Sequence, residues 1–559
     1  MRLAPAALLA SVGSSACVCL LLAAALAGCS KSSPDAPKTK ATGVTPGEAA
    51  KAPAEGRSKT GSDAFVFAIQ GEPETLDPGR SHGVNETKVV QNLFEGLTEY
   101  PLGNGEMVPG VAERWTLDPD GLTYTFHLRR DAKWSNGEPV TAEDFRWSWL
   151  RVLDPKLASP YADMLFVLDG ARDLYEGRQT DPATVGVEVV DPHTLKVRLA
   201  YVAPYFLELL AYPTFRPVHR ATVEAHGDRW TRPAHIVGNG PYRLVEWSPR
   251  QHLKLVKSKH YWDTDEVAIA RVTILPIEEN TTMVNLFESG ELDWSGAVDL
   301  PAIKIKQLRR KPAYHEDPYH GVYFYRFNVQ DPALKDVKVR RALAKAVDRE
   351  AIIEVLKSGH RVATTYVPPM PGYTPADSDL GFDPDAARAL LAEAGYPEGR
   401  GFPRLTVLYN TQENHKRVAE MVQQMWARTL GIEISLQNQE WKVYLNSQKS
   451  LAYAISRSGW IGDYHDPSTF LSMWTTGNGN NNTGWSDREY DGLIEKANHE
   501  ADAAARLAIL RRAEALLLSR GPVMPLYHYA RPYLLNPAVK GFEPHLLDLH
   551  PVKYIRKTP

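Results

Sequence analysis

The sequence predicts an α/β protein with more than one lobe, and three observations carry that prediction. The chain has 559 residues, too long for one ordinary domain. Segments with period-two alternation of apolar residues are interspersed with segments of helical periodicity, without a fixed repeat. In the 400s a strand, a helix and a strand follow one another, as in a βαβ unit on a mainly parallel sheet.

From the start of the chain, Arg2 precedes an apolar run from about Ala4 to Leu26, rich in Ala and Leu. Its length alone fits a secretory signal or a membrane span. The run ends in Leu26-Ala27-Gly28-Cys29, which resembles the bacterial lipobox. That resemblance implies a signal peptide over residues 1–28, with Cys29 as the lipidated first residue of the mature protein. From Cys29 to about residue 62, Lys, Ser, Pro, Ala, Thr and Gly dominate. Such a segment buries too little apolar surface to offset chain entropy, so it is expected to be a disordered tether.

Within the body, Leu122, Tyr124, Phe126 and Leu128 alternate with polar residues, predicting a half-buried strand; Leu195–Leu199 repeats the pattern. Asp385–Ala394 reads as a helix closed by Gly395, and Asp487–Leu518 as one or two more helices. Leu405–Tyr409 and Ile432–Leu436 are the expected strands of the βαβ unit. His415–Leu430 is its helix, with Gly431 as the stop. The region before about residue 220 is richer in strand and turn signals.

Composition narrows the function. A formal net charge of −3 leaves no basic surplus for nucleic acid. The three cysteines, Cys17, Cys19 and Cys29, all lie in the first thirty residues, so the body has neither disulfide nor thiolate metal site. The 25 Tyr and 13 Trp exceed what a core needs and suit a buried site that must also hydrogen-bond. Catalytic motifs are missing: there is no GxSxG turn and no GxxxxGK[ST] loop. His315-Glu316-Asp317-Pro318-Tyr319-His320 has the wrong spacing for a zinc helix and contains Pro318, so it reads as a loop entering a strand. No enzyme, metal or cofactor is expected.

Four collinear blocks carry a family resemblance. Ala112-Glu113-Arg114-Trp115 leads through Asp120–Arg129, Lys133–Gly137 and Pro139–Phe145. Gly238–Leu244 follows, then Arg340–Arg349, then Gly459-Trp460-Ile461-Gly462-Asp463-Tyr464 with Pro467 and Phe470. Together they resemble the peptide-binding receptors of Opp-type ABC importers (solute-binding protein family 5), across roughly residues 63–559. The resemblance implies a bilobal, periplasmic-binding-protein-like (type II) fold with an additional inserted domain, three domains in all. Lobe I would comprise 63–94, 219–320 and 531–559, the inserted domain II 95–218, and lobe III 321–530. It implies a monomeric, lipid-anchored protein of the periplasm or cell envelope that delivers oligopeptides to permease subunits in the inner membrane. The same fold also hosts receptors for nickel chelates, sugars or dipeptides.

The resemblance also implies site residues. Asp463 would hold the peptide ammonium by charge-assisted hydrogen bonds, where the residue by itself reads as a turn or helix cap, a role equally open to Asp466 and Ser468. Gly459 would let a peptide strand approach closely, and Arg457, Lys357 and His415 would reach its carboxylate. Trp441 and Trp460 would wall side-chain pockets. Tyr161 and Tyr529 would touch the peptide backbone, and Val84 would lie on a strand pairing with the peptide from lobe I. Two departures stand out: His82 lies where some relatives are acidic, and Ile461 and Gly321 stand where some relatives have a disulfide. Side-chain preferences therefore do not transfer.

Overall fold

A computed structural model describes residues 61–296 and 299–558. The expected signal segment, Cys29 and the tether up to residue 60 lie outside the described residues. Among the described residues no helix is long and apolar enough to cross a membrane.

Three larger sheets organise the chain. The first has the order Ala64–Ile69, Arg271–Pro276, His252–Lys257, Tyr242–Ser248. Its first pairing is parallel and the others antiparallel. The second is antiparallel throughout, with the order Ala112–Leu117, Thr123–Leu128, Thr194–Arg198, Val187–Asp191. Both strands expected from alternation sit in its middle. Tyr124, Phe126, Leu195 and Val197 face a core that also takes Phe145 and Trp149 from the helix Ala142–Leu153.

The third sheet has six strands, in the order Arg361–Val362, Val523–Leu534, Tyr314–Phe327, Ile455–Ile461, Leu405–Asn410, Ile434–Gln439. The βαβ unit is as expected: Leu405–Asn410 and Ile434–Gln439 pair in parallel across the helix Glu413–Leu430. Gly431 ends that helix at φ 69°, its N–H donating to the Ala427 carbonyl, and the second strand starts two residues beyond the expected Ile432. The sheet as a whole is mixed rather than mainly parallel, because every pairing beyond Ile455–Ile461 is antiparallel. Local patterning in the 400s reveals a crossover but not the direction of strands brought in from elsewhere in the chain.

Tyr314–Phe327 and Val523–Leu534 form a long antiparallel ribbon. The segment from His315 to His320, expected as a loop, is already strand. Tyr314–Pro318 pair with Leu534–Ala530, and His315 stacks on Tyr533 at 5.1 Å. The ladder is interrupted between Pro318 and Val322. Pro318 is tolerated at such a break because a proline has no N–H to leave unpaired.

The helices Arg488–His499 and Ala503–Arg520 are capped by Asp487 and Asp502, whose carboxylates accept from backbone N–H groups of the first turn. Glu514, fully buried on the second of these helices, accepts from the backbone N–H groups of Tyr366, Val367 and Ala376 and from the Tyr373 hydroxyl. One carboxylate thus holds the whole 366–376 connection against the third sheet.

Candidate ligand-binding site

The site forms along an unfinished sheet edge. Ile455–Ile461 pairs over its full length with Tyr314–Phe327, but with Leu405–Asn410 only at Ile455 and Ser456. From Arg457 onward its other edge has no strand partner among the described residues. The Arg457 carbonyl points to that edge and is taken by the Tyr444 hydroxyl and by Gln448 Nε2. Strand alternation aims the Gly459 N–H and C=O the same way, toward a cavity of about 150 Å³. Glycine at 459 has a further reason here: a Cβ would meet the Tyr529 hydroxyl at 2.7 Å and Arg457 Nη2 at 3.4 Å.

Beyond one end of this edge lies Asp463, 8% exposed. Its Oδ1 accepts from the Tyr161 hydroxyl at 3.2 Å and its Oδ2 from Thr469 Oγ1 at 3.3 Å, while its N–H donates to Thr469 Oγ1 at 2.8 Å. Burial pushes the carboxyl up to about 7, against the hydroxyls of Tyr212, Tyr161 and Thr469, which favour the ionised form. Asp463 is not a cap. The helix Ser468–Leu471 starts from Pro467 without a side-chain cap, and Asp466 accepts from Ser468 N–H at 2.9 Å while holding Arg506 at 2.7 and 2.9 Å. Asp463 has no cation partner within salt-bridge reach among the described residues, so it is a carboxylate poised for one.

At the other end Arg457, also 8% exposed, donates to Asn410 Oδ1 at 3.1 Å and to the Tyr529 hydroxyl at 3.2 Å. Among the described residues no carboxylate neutralises it, and its buried Nε has no hydrogen-bond partner. His415 Nδ1 and Trp441 Nε1 are likewise buried without partners. A second cavity of about 110 Å³, lined in part by Arg457, His415, Asn410, Trp441, Tyr527 and Tyr529, adjoins the first. Each unmet polar group in such a place costs about 1–3 kcal/mol, which a polar ligand would recover.

Comparison with known proteins identifies the family. The family described as bacterial extracellular solute-binding proteins, family 5 (middle), matches residues 106–482. The periplasmic murein peptide-binding protein MppA of Escherichia coli strain K12 is 37% identical over 488 residues, 86% of this chain and 90% of that protein. The chain belongs to family 5 of the bacterial extracellular solute-binding proteins. The solved structure of the Escherichia coli MppA superposes with a TM-score of 0.85 over 89% of this chain and 98% of that one. Haemophilus influenzae OppA in complex with RPPGFSPFR gives 0.85 at 32% identity, covering 89% and 99%. MppA in its unliganded open form matches at only 0.60, with the same 35% identity as the other MppA structure and coverage of 90% and 99%. Sequence distance does not explain that drop; lobe disposition does, and this family 5 protein has the closed arrangement of the bilobal type II fold.

Contacts across the cleft agree with closure. Glu208 accepts from both the N–H and Nδ1 of His465 at 2.9 Å, and Asn480 Nδ2 donates to the Pro160 carbonyl at 3.1 Å. Lys449 meets Glu74 at 3.3 Å. Of the expected site residues, Asp463, Gly459, Arg457, Trp460, Trp441, Tyr161 and Val84 all line the larger cavity, and His415 and Tyr529 the adjoining one. His415 arrives as a neutral ring, since burial and the neighbouring Arg457 hold it well below its ordinary pKa. It can exchange a hydrogen bond with a carboxylate but not a charge.

Two expectations are corrected. Val84 is not on a strand: it is the first residue of the helix Val84–Leu93, entered from an extended Gly83, with Glu86 in the first turn where the helix dipole favours an acid. Lys357 ends the helix Arg349–Leu356 in a left-handed conformation, φ 57°, and lies exposed outside both cavities. Gly321 stands directly opposite Ile461, and a Cβ there would run into Ile461 Cδ1, so the isoleucine fills the space on this pair. Sequence reasoning missed Tyr212, Thr469, Asn410, Gln448 and Arg326, which contact the site from five separate stretches of chain and form no motif.

Proposed function

We propose that this protein captures oligopeptides between its closing lobes and hands them to an ABC importer. The observation that supports this is the pairing of complementary ends on one open strand edge. Among the described residues, a buried carboxylate without a cation stands at one end, a buried guanidinium without an anion at the other, and backbone groups at Gly459 without a strand partner lie between them. A zwitterion with an extended amide backbone answers all three features, and a β-strand peptide docking by main-chain bonds is that molecule. Asp463 would take the ammonium, Tyr161 and Tyr529 would flank the backbone, and Arg457 with neutral His415 would take the carboxylate. Trp460 and Trp441 would wall side-chain pockets.

The sheet composition supports the boundaries read from the sequence. The first sheet draws only on 63–94 and 219–320, the second only on 95–218, and the ladder break near Pro318 lies at the expected passage between lobes I and III. That ribbon would be the hinge, with the protein held at a membrane through Cys29 and acting as a monomer.

A double cycle tests the ammonium contact. Asp463→Ala should weaken a tetrapeptide by about 2–5 kcal/mol, roughly thirty- to several-thousandfold. N-acetylating the peptide should cost wild type a comparable amount and the variant much less. Calorimetric titration of both peptides against both proteins supplies the four affinities, and additive losses would refute the contact.

A further inference from the structure

The larger cavity carries one cation more than a simple peptide can answer. Of its cationic lining residues, Lys88 is matched by Asp548 at 2.9 Å and Lys449 by Glu74 at 3.3 Å. Arg457 is reserved, on the reading above, for the terminal carboxylate. Arg326 remains, 4% exposed, with no carboxylate within salt-bridge reach among the described residues. Its Nε donates to Ser458 Oγ at 3.0 Å and its Nη1 to the Asn480 carbonyl at 2.8 Å, but its Nη2 makes no hydrogen bond there. The Phe324 and Trp474 rings lie beneath it, at 5.6 and 5.4 Å from the guanidinium carbon to the centroids.

The two guanidiniums stand on opposite faces of the sheet. Arg326 pairs in register with Ser456, so it shares a face with Ser456, Ser458 and Trp460; Arg457 pairs with Tyr325 and shares the other face with Gly459. A peptide added along the open edge sends its side chains alternately to these two faces. A side chain directed to the Arg326 face meets a fixed, dry guanidinium fork beside Ser458 and Asn480, a geometry that fits a carboxylate in two-point contact.

We propose that Arg326 makes this cavity selective for peptides with an acidic side chain at one fixed position counted from the ammonium. This rests on the peptide reading, and the experiment separates the two. Tetra-alanine and its variants with Glu or Gln at residue 1, 2 or 3 are titrated calorimetrically at neutral pH. At one position Glu should bind about tenfold or more tighter than Gln, because a charged hydrogen-bond partner is worth roughly twice a neutral one in a dry site. In Arg326→Met the Glu-to-Gln ratio at that position should fall to near one, whatever the absolute affinities, and Arg326→Lys should restore part of it. Equal binding of Glu and Gln at every position in wild type overturns the proposal even if no variant folds. A preference that survives Arg326→Met overturns it too, and transfers the role to Lys449. If tetra-alanine and all its variants fail to bind, the peptide reading itself falls, and this inference with it.

Discussion

Lowering the pH from 7 to 5 should weaken peptide binding about fiftyfold, and Asp463 should be the cause. Burial holds its carboxyl at about 7 in the free closed protein, whereas an ammonium placed beside it would return it to the usual carboxylate range. Binding must then expel the proton that Asp463 carries below pH 7. With a free pKa near 7 and a bound pKa well below 5, the protonated fraction rises from about one half at pH 7 to nearly all at pH 5. The affinity therefore drops about fiftyfold, or ~2.3 kcal/mol. The sign for stability is the reverse: with its pKa raised on folding, Asp463 favours the folded free protein at low pH, and that contribution fades as pH rises from about 4 through 7. Calorimetry at pH 6 in two buffers of different ionisation enthalpy should report release of about nine-tenths of a proton per peptide bound. His82, held at about 4 by burial with Lys449 nearby, and His415, held well below its ordinary value, do not titrate in this window. Asp163 at about 6 and Glu86 at about 7 do, both raised by burial, so the control is Asp463→Asn, in which the pH dependence between 5 and 7 should vanish. Equal affinity at pH 5 and pH 7 in wild type, or an unchanged slope in Asp463→Asn, would refute the reasoning.

Gly459→Ala places a methyl 2.7 Å from the Tyr529 hydroxyl and should lower stability by about 1–3 kcal/mol while weakening peptide binding. Adding Tyr529→Phe removes that oxygen and should restore most of the melting temperature, a rescue that a lost ligand contact alone would not give. Glu514→Ala leaves three backbone N–H groups and the Tyr373 hydroxyl without their acceptor and should destabilise by about 3–5 kcal/mol in urea unfolding. Cys29→Ser should abolish entry into the detergent phase on phase partitioning without changing peptide affinity; continued partitioning would exclude the lipid anchor.

Much of the fold was legible in the sequence because the relevant signals are local. Period-two alternation placed Thr123–Leu128 and Thr194–Arg198, and helical periodicity with a terminal glycine placed Glu413–Leu430 and its stop at Gly431. Strand direction was not local. Tyr314–Phe327 and Val523–Leu534 pair across about two hundred residues of chain, so their antiparallel ribbon left no trace in either segment. The family resemblance alone places Val84 on a strand; in this chain it opens the helix Val84–Leu93, a backbone state that matching a family position does not fix. For the candidate site, the Gly459–Asp463 block lies on one strand and the turn after it, contiguous in sequence, so the family resemblance could mark it. Electrostatic state was decided only by the tertiary structure. Burial makes Asp463 half-protonated near neutral pH and His415 uncharged, sets Lys357 outside the cleft, and brings Arg326 to the cavity from a neighbouring strand. A sequence specifies which groups can ionise; the dielectric around them, and the partners that burial grants or withholds, exist only once distant segments have packed.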